Sequence, residues 1–153
     1  MKEQIASFQG TFRFLSNFWP CKVVYEDMEY PSTEHAYQAA KCVDLKERKK
    51  IQQAKTPGEA KKLGRKVKIR SDWEDIKVSV MYELVKQKFK NPDLRNLLLM
   101  TENVYICENN WWNDRFWGKC ENEDGKMIGE NMLGKILMDV REKIQQMDSS
   151  NFQ

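Results

Sequence analysis

A single histidine, His35, and four scattered cysteines with no Cys-x-x-Cys pair leave no plausible ligand set for structural zinc. Reduced thiols and a cytoplasmic setting are the expectation for Cys21, Cys42, Cys107 and Cys120. Met1-Lys-Glu-Gln-Ile lacks the apolar run of a signal peptide, and no stretch approaches the length of a membrane span. No Ser-His-Asp set, P-loop or dinucleotide fingerprint is present, which removes the commonest hydrolase, nucleotide and redox readings. A net charge of +3 is too mild to argue for nucleic acid by itself.

What is present fits one soluble domain. The 153 residues suffice to bury a single core without disulfides or metal. Hydrophobic content of 41% is globular, and a charged fraction of 32% predicts a densely charged surface. Charge is locally uneven: Lys46–Lys50 and Lys61–Lys68 are basic, whereas Glu121–Asp124 is acidic. Three of the five tryptophans, Trp111, Trp112 and Trp117, crowd one short segment.

The chain is organised around Pro31-Ser-Thr-Glu-His-Ala-Tyr-Gln-Ala-Ala-Lys41. Pro31 cannot continue a helix from upstream, and Ser32 or Thr33 can cap a new one. On a helical wheel Glu34, Tyr37, Gln38 and Lys41 share a face, with Ala36, Ala40 and Val43 opposite. Two turns, roughly 10 Å, separate Glu34 from Lys41, so the pair suits bracketing a ligand better than a simple ion pair. The plain alternative is a solvated polar face over alanines packed on the core.

Residues 8–31 predict extended structure, with a hairpin from Lys22 to Tyr30 turning at Glu26-Asp27. Ser16 and Asn17 lie in a tight turn, where Asn17 either bonds the backbone or faces a ligand. Helices are expected over Leu45–Ala54 and Glu59–Leu63, the second opened by Thr56-Pro-Gly-Glu59. Arg65–Arg70 has some strand character. Ser71-Asp-Trp-Glu74 has capping-box spacing and predicts a long helix to about Lys90, and Asn91-Pro92 starts another through Met100.

Asn103–Cys107 predicts a buried strand delivering the loop Glu108–Gly118. There Trp112 and Trp117 either close a small core or wall a flat ring, with Asp114 and Asn109 aimed at its polar atoms. Asn122–Lys126 predicts a turn. Gly129-Glu-Asn-Met-Leu-Gly134 opens a final helix whose start, with Asn131 as cap, is a candidate anion site. A frayed tail is expected from Gln145. Carboxylates, one lysine, amides and tryptophans together suit cleavage of a glycosidic bond to a nitrogen base. A carboxylate can stabilise an oxocarbenium-like centre, and a lysine of lowered pKa can attack the anomeric carbon.

The segments Phe14-Leu-Ser-Asn-Phe18, Pro31–Lys41, Leu63-Gly-Arg65, Asp72-Trp73, Lys88-Phe89, Trp111-Trp-Asn-Asp114 with Trp117-Gly118, and Gly129-x-Asn-x-Leu-Gly134 occur in that order. Together they resemble the NADAR or YbiA-like family over about Phe8–Arg141. The resemblance implies a compact, mostly helical α+β fold, a single domain with a few short strands. It implies a cytoplasmic N-glycosidase with no metal or organic cofactor; from the sequence itself, no membrane association and no obligate protein partner are expected. The implied substrates are ribosylamino-pyrimidine 5′-phosphates of riboflavin biosynthesis or ADP-ribosylated guanine in nucleic acid. Glu34, Lys41 and Asp114 are the implied catalytic residues, with Trp117 and Gly118 in the active site and Asn17 and Asn131 around the ligand. Ser16, Tyr37, Gln38, Arg65 and Trp112 complete the candidate substrate contacts. Where relatives often carry glycine, this chain has Asn109, which bears on the width of the pocket mouth. A non-catalytic module binding ADP-ribose or a nucleotide, with Arg65 and Lys66 on phosphates, is the alternative.

Overall fold

The structure, a computed structural model, describes residues 3–150. It is α+β and mostly helical, with six helices and three two-stranded sheets among those residues. Contacts divide the chain into two units: residues 17–90, and the residues up to 16 together with those from 91 onward.

In residues 17–90, β2 (Pro20–Tyr25) pairs antiparallel with β3 (Met28–Ser32). Glu26 and Asp27 both take positive φ, 44° and 69°, as a two-residue hairpin turn of matching twist requires. The hairpin runs straight into α1 (Thr33–Ala40). Ser32 ends β3 and caps α1, its hydroxyl accepting the His35 N–H at 3.1 Å.

All eight residues of α1 are buried, because the helix packs against α2 (Leu45–Gln52), α3 (Pro57–Gly64), α4 (Trp73–Lys88) and both strands. The small side chains Ala36, Ala39 and Ala40 are fully enclosed and permit that crowding. The wheel's solvated face therefore does not exist, since the core surrounds the helix. Val43 lies beyond its end and is exposed.

His35 is structural. Its Nδ1 lies 2.6 Å from Ser32 Oγ and its Nε2 3.0 Å from the Ala54 carbonyl, joining the start of α1 to the end of the α2 segment. Arg48 is also no surface charge: buried, it donates Nε–H to the Cys42 carbonyl at 2.8 Å and lies over the Tyr25 ring.

Thr56 and Pro57 start α3 as expected, and Glu59 reaches back to the Lys55 N–H at 2.9 Å. The box expected at Ser71–Glu74 does not form. The Asp72 carboxylate is instead held by Arg70, Nε to Oδ1 at 2.6 Å, so α4 begins without a side-chain cap. Arg65–Arg70 forms no strand.

In the other unit, β1 (Gln4–Ile5) pairs parallel with β4 (Tyr105–Ile106). A 3-10 helix, Gly10–Leu15, replaces the extended run expected there. Asn91 caps α5 (Pro92–Leu99) through two backbone N–H groups. Between β4 and the last helix, β5 (Cys120–Glu121) and β6 (Met127–Ile128) flank the predicted turn.

Helix α6 (Met132–Ser150) packs its Leu133, Ile136, Leu137, Val140 and Ile144 stripe inward and contacts β4 and α5. It continues through the region expected to fray, of which residues 151–153 lie outside the described residues. Buried Arg141 crosslinks the unit, donating to Thr101 Oγ1 and the Val104 carbonyl, each at 2.9 Å.

Candidate active site

Helix α1 carries the first set of candidate groups. Glu34 and Gln38, one turn apart, are 7% and 3% exposed, and Gln38 Nε2 donates to Glu34 Oε1 at 2.7 Å. Lys41 follows at the helix end with its ammonium 5.5 Å from the Tyr37 ring centroid. Tyr37 in turn packs on Trp73, ring centroids 5.2 Å apart, which fixes its plane. Burial holds the Lys41 ammonium below the ordinary lysine range; Glu34 pulls it back up, while Lys61 and Arg65 push it further down. A carboxylate, a partly desolvated amine and two further cations therefore act on one neighbourhood.

Asn17 serves this helix through its backbone. Its carbonyl accepts the Glu34 N–H at 3.1 Å, one of the free donors of the first turn. Its side-chain amide lies 3.5 Å from Met81 Sδ. Asn17, Glu34, Tyr37, Gln38, Lys41 and Arg65 thus belong to one unit, and Lys61, read from sequence only as the start of a basic run, joins them through its effect on Lys41. The i to i+4 spacing of Lys61 on α3 and Arg65 just past its end was the available signal.

The second set lies on the loop after β4. Asn110 and Asp114 exchange bonds: Asn110 Nδ2 donates to the Asp114 carbonyl at 2.9 Å, and the Asp114 N–H donates to Asn110 Oδ1 at 3.0 Å. Asp114 Oδ1 also accepts the N–H groups of Phe116 and Trp117, at 3.1 and 2.8 Å. One carboxylate oxygen thereby pins the turn that places Trp117, whose ring meets Phe116 edge-on at 4.8 Å. Trp112 is 45% exposed and Trp111 80%, the two packed edge to face at 5.0 Å. Asn110 was not anticipated; its four-residue spacing to Asp114 was the signal.

Gly118 is there for room: a Cβ would stand 2.1 Å from the Glu108 carbonyl oxygen. Asn131 is fully buried and does not cap α6. Its Oδ1 accepts the Glu108 N–H at 3.0 Å, and its Nδ2 donates to the Ile106 carbonyl at 2.9 Å. The expected anion site at the start of α6 is filled by protein. The N–H groups of Asn131, Met132 and Leu133 donate to the carbonyls of Gly118, Phe116 and Trp117. Ser16, at the end of the 3-10 helix, is half-buried and its N–H donates to the Arg13 carbonyl. Among the described residues no three His, Cys, Asp or Glu side chains gather as a metal would need, and no helix is long and apolar enough to cross a membrane.

Comparison with known proteins places this chain among relatives along nearly its whole length. The family model described as NADAR domain matches residues 6–145. N-glycosidase YbiA of Escherichia coli is 35% identical over 152 residues, 94% of this chain and 91% of that protein. An N-glycosidase of Nostoc punctiforme is 40% identical over 135 residues, covering 84% of this chain and 83% of its own. A riboflavin biosynthesis protein of Vibrio vulnificus is 40% identical over 136 residues; the chain spans 87% of itself there but only 36% of that longer protein. The NMR structure of Escherichia coli YbiA superposes with a TM-score of 0.78 at 32% identity, over 97% of this chain and 89% of that one.

Proposed function

Because this chain belongs to the NADAR domain family, we propose that it is an N-glycosidase, a hydrolase that cleaves the bond between a ribose and a nitrogen base. The observation that carries this reading is the α1 face, where a buried carboxylate and a lysine with a disfavoured charge lie two turns apart. Neutral Lys41 attacks the anomeric carbon, forming an N–C bond as the bond to the base breaks with its electron pair. The departing base takes the proton that the alkylated Lys41 nitrogen releases, directly or through water. Ring opening gives a Schiff base, which water hydrolyses to release the sugar and restore the amine. Glu34, as a carboxylate, stabilises the positive charge that develops at the anomeric carbon.

The Vibrio vulnificus relative is named a riboflavin biosynthesis protein, which supports an intermediate of that route, here taken as a ribosylamino-pyrimidine 5′-phosphate, as substrate. Lys61 and Arg65 suit it, since an anionic phosphate would offset the positive excess around Lys41. ADP-ribosylated guanine in nucleic acid is the second reading. It is favoured by Trp111 and Trp112, whose exposed rings offer stacking surface. Asp114 is assigned the holding of the Trp loop, because its Oδ1 already accepts two backbone bonds. The four free cysteines fit a reducing, cytoplasmic setting.

The test is base release from both substrates, followed by borohydride reduction during turnover. Sugar trapped on the wild-type chain and absent from Lys41→Ala is the expected result. Trapping that persists in Lys41→Ala, or none at all despite base release, removes the Schiff-base route in favour of direct attack by water. Tight binding without base release makes the chain a ribose-phosphate binding module.

A further inference from the structure

We infer that Gln38 and Gly64 form a brace that fixes Glu34 as an oriented carboxylate, so that Gln38 is a positioning residue and not a substrate contact. The Gln38 amide has one donor end and one acceptor end, and the 2.7 Å bond to Glu34 Oε1 takes the donor end. Turning the amide over would set two acceptor oxygens face to face, so the orientation is fixed. The acceptor end is unusual. Gln38 Oε1 is buried and has no hydrogen-bond partner, whereas nearly all buried polar atoms have one.

What leaves room for that oxygen is Gly64, the last residue of α3. A Cβ there would stand 1.9 Å from Gln38 Oε1, 2.8 Å from Cδ and 3.0 Å from Cβ. The amide occupies the space that any other residue's side chain would need. Gly64 is helical and is not among the residues with positive φ, so no backbone conformation demands glycine there. Alanine would be the better helix former. The remaining reason for glycine is the room it leaves for Gln38.

A neutral amide that gives Glu34 a donor and nothing else favours the ionised carboxylate and fixes its plane. That suits a group stabilising positive charge and disfavours a proton donor. This role for Glu34 rests on the glycosidase reading; the brace itself does not.

The experiment follows the Glu34 carboxyl by carbon-13 NMR titration, beside kcat as a function of pH, in four variants checked for folding by thermal unfolding. In Gln38→Ala the Glu34 titration should move up by about one unit or more, the scale of a lost hydrogen bond to a charge. Gly64→Ala should move it the same way while deleting no hydrogen-bonding group. The double variant should be little worse than Gln38→Ala alone, because the two closest atoms, Oε1 and Cδ, are then gone and only the Cβ of residue 38 remains, 3.0 Å from the added methyl. In Gln38→Glu the introduced carboxyl replaces the donor only while protonated, so kcat should gain a new decline toward alkaline pH.

A Glu34 titration unchanged in both single variants, or fully additive losses in the double, would overturn the brace. Should Gly64→Ala not fold, the two Gln38 variants decide. A wild-type chain that releases no base refutes the glycosidase reading, while the titrations still judge the brace.

Discussion

The two sets of candidate groups are held in opposite ways. On α1 the side chains are buried and fix one another: Gln38 bonds Glu34, and Trp73 backs the Tyr37 ring beside Lys41. On the Trp loop the backbone is fixed by Asn110 and Asp114, while Trp111 and Trp112 extend into solvent. The first arrangement suits the proposed chemistry, since desolvation tunes a lysine and an enclosed carboxylate has little freedom. The second leaves two large rings exposed on a fixed backbone. The proposed chemistry should therefore fail when α1 changes, and the order of the loop itself when Asn110 or Asp114 does.

The largest effect should come from α1. Lys41→Ala and Glu34→Gln are each expected to lower kcat by roughly 10²–10⁴, with KM less affected. Steady-state kinetics on the ribosylamino-pyrimidine phosphate measures this, and activity within a few-fold of wild type would break the comparison at its stronger end.

Burial in the same unit has a second measurable consequence at Lys88, which is 2% exposed and held by burial down to about 8, with Cys21 acting in the opposite direction. Unfolded, this lysine keeps the ordinary 10.5, so between about 8 and 10.5 the unfolded chain binds more protons. Stability contributed by this group must then rise with pH across that window, and the full penalty stands below it. Relative to Lys88→Met, the wild-type chain should gain on the order of 3 kcal/mol between those limits. Urea unfolding of both proteins at several pH values checks it. Parallel curves would mean that Lys88 titrates normally.

A smaller effect is expected at Asp114. Removing the carboxylate in Asp114→Ala deletes two bonds to the Phe116 and Trp117 N–H groups, about 1–3 kcal/mol of local stability. Asp114→Asn should restore most of it, because an amide oxygen can accept both. Hydrogen exchange at those two amides reads the loop directly. If Asp114→Asn keeps them protected yet abolishes turnover, the loop does supply a chemical carboxylate and the contrast with α1 collapses.

The smallest effect concerns the basic run of α3 and its end. Lys62 and Lys66 are exposed, unlike Arg48 in the neighbouring run. Reversing both charges should change kcat/KM on the small phosphate ester less than about threefold. On an ADP-ribosylated oligonucleotide it should weaken binding and flatten the salt dependence by about one unit of slope per lysine. Equal responses on both substrates would remove any phosphate-backbone track.

Local signals were legible in the sequence where the cause itself is local. Ser32 after Pro31, Thr56-Pro57, Asn91-Pro92 and the Glu26-Asp27 turn each decide their own backbone, and each is found in place. The enclosure of α1 was not legible, because a wheel assumes one core side and this helix has neighbours all round. Ser71–Glu74 misled because α4 starts one residue later than that box requires, with Asp72 before its first residue and the Asp72 carboxylate on Arg70. Strand β4 lies inside the strand read at Asn103–Cys107, whereas its partner β1 is two residues long and pairs across most of the chain, leaving no periodicity to read. The candidate residues on α1 were found because the family motif and the wheel coincide there. Asn131 and Gly118 were named as ligand neighbours, whereas their visible work is to seat the Glu108 segment.

The bonds that fill the start of α6 also bear on how this loop can change over evolutionary time. Glu130, Asn131, Met132 and Leu133 donate to Arg115, Gly118, Phe116 and Trp117, a register set by counting residues. Exchanging Trp111 or Trp112 for another ring leaves that register untouched. Inserting or deleting one residue between 115 and 118 would shift several partners at once and uncover donors at the head of the helix. Diversification here should proceed by substitution at constant length, while insertions collect at the exposed Asn122–Lys126 turn.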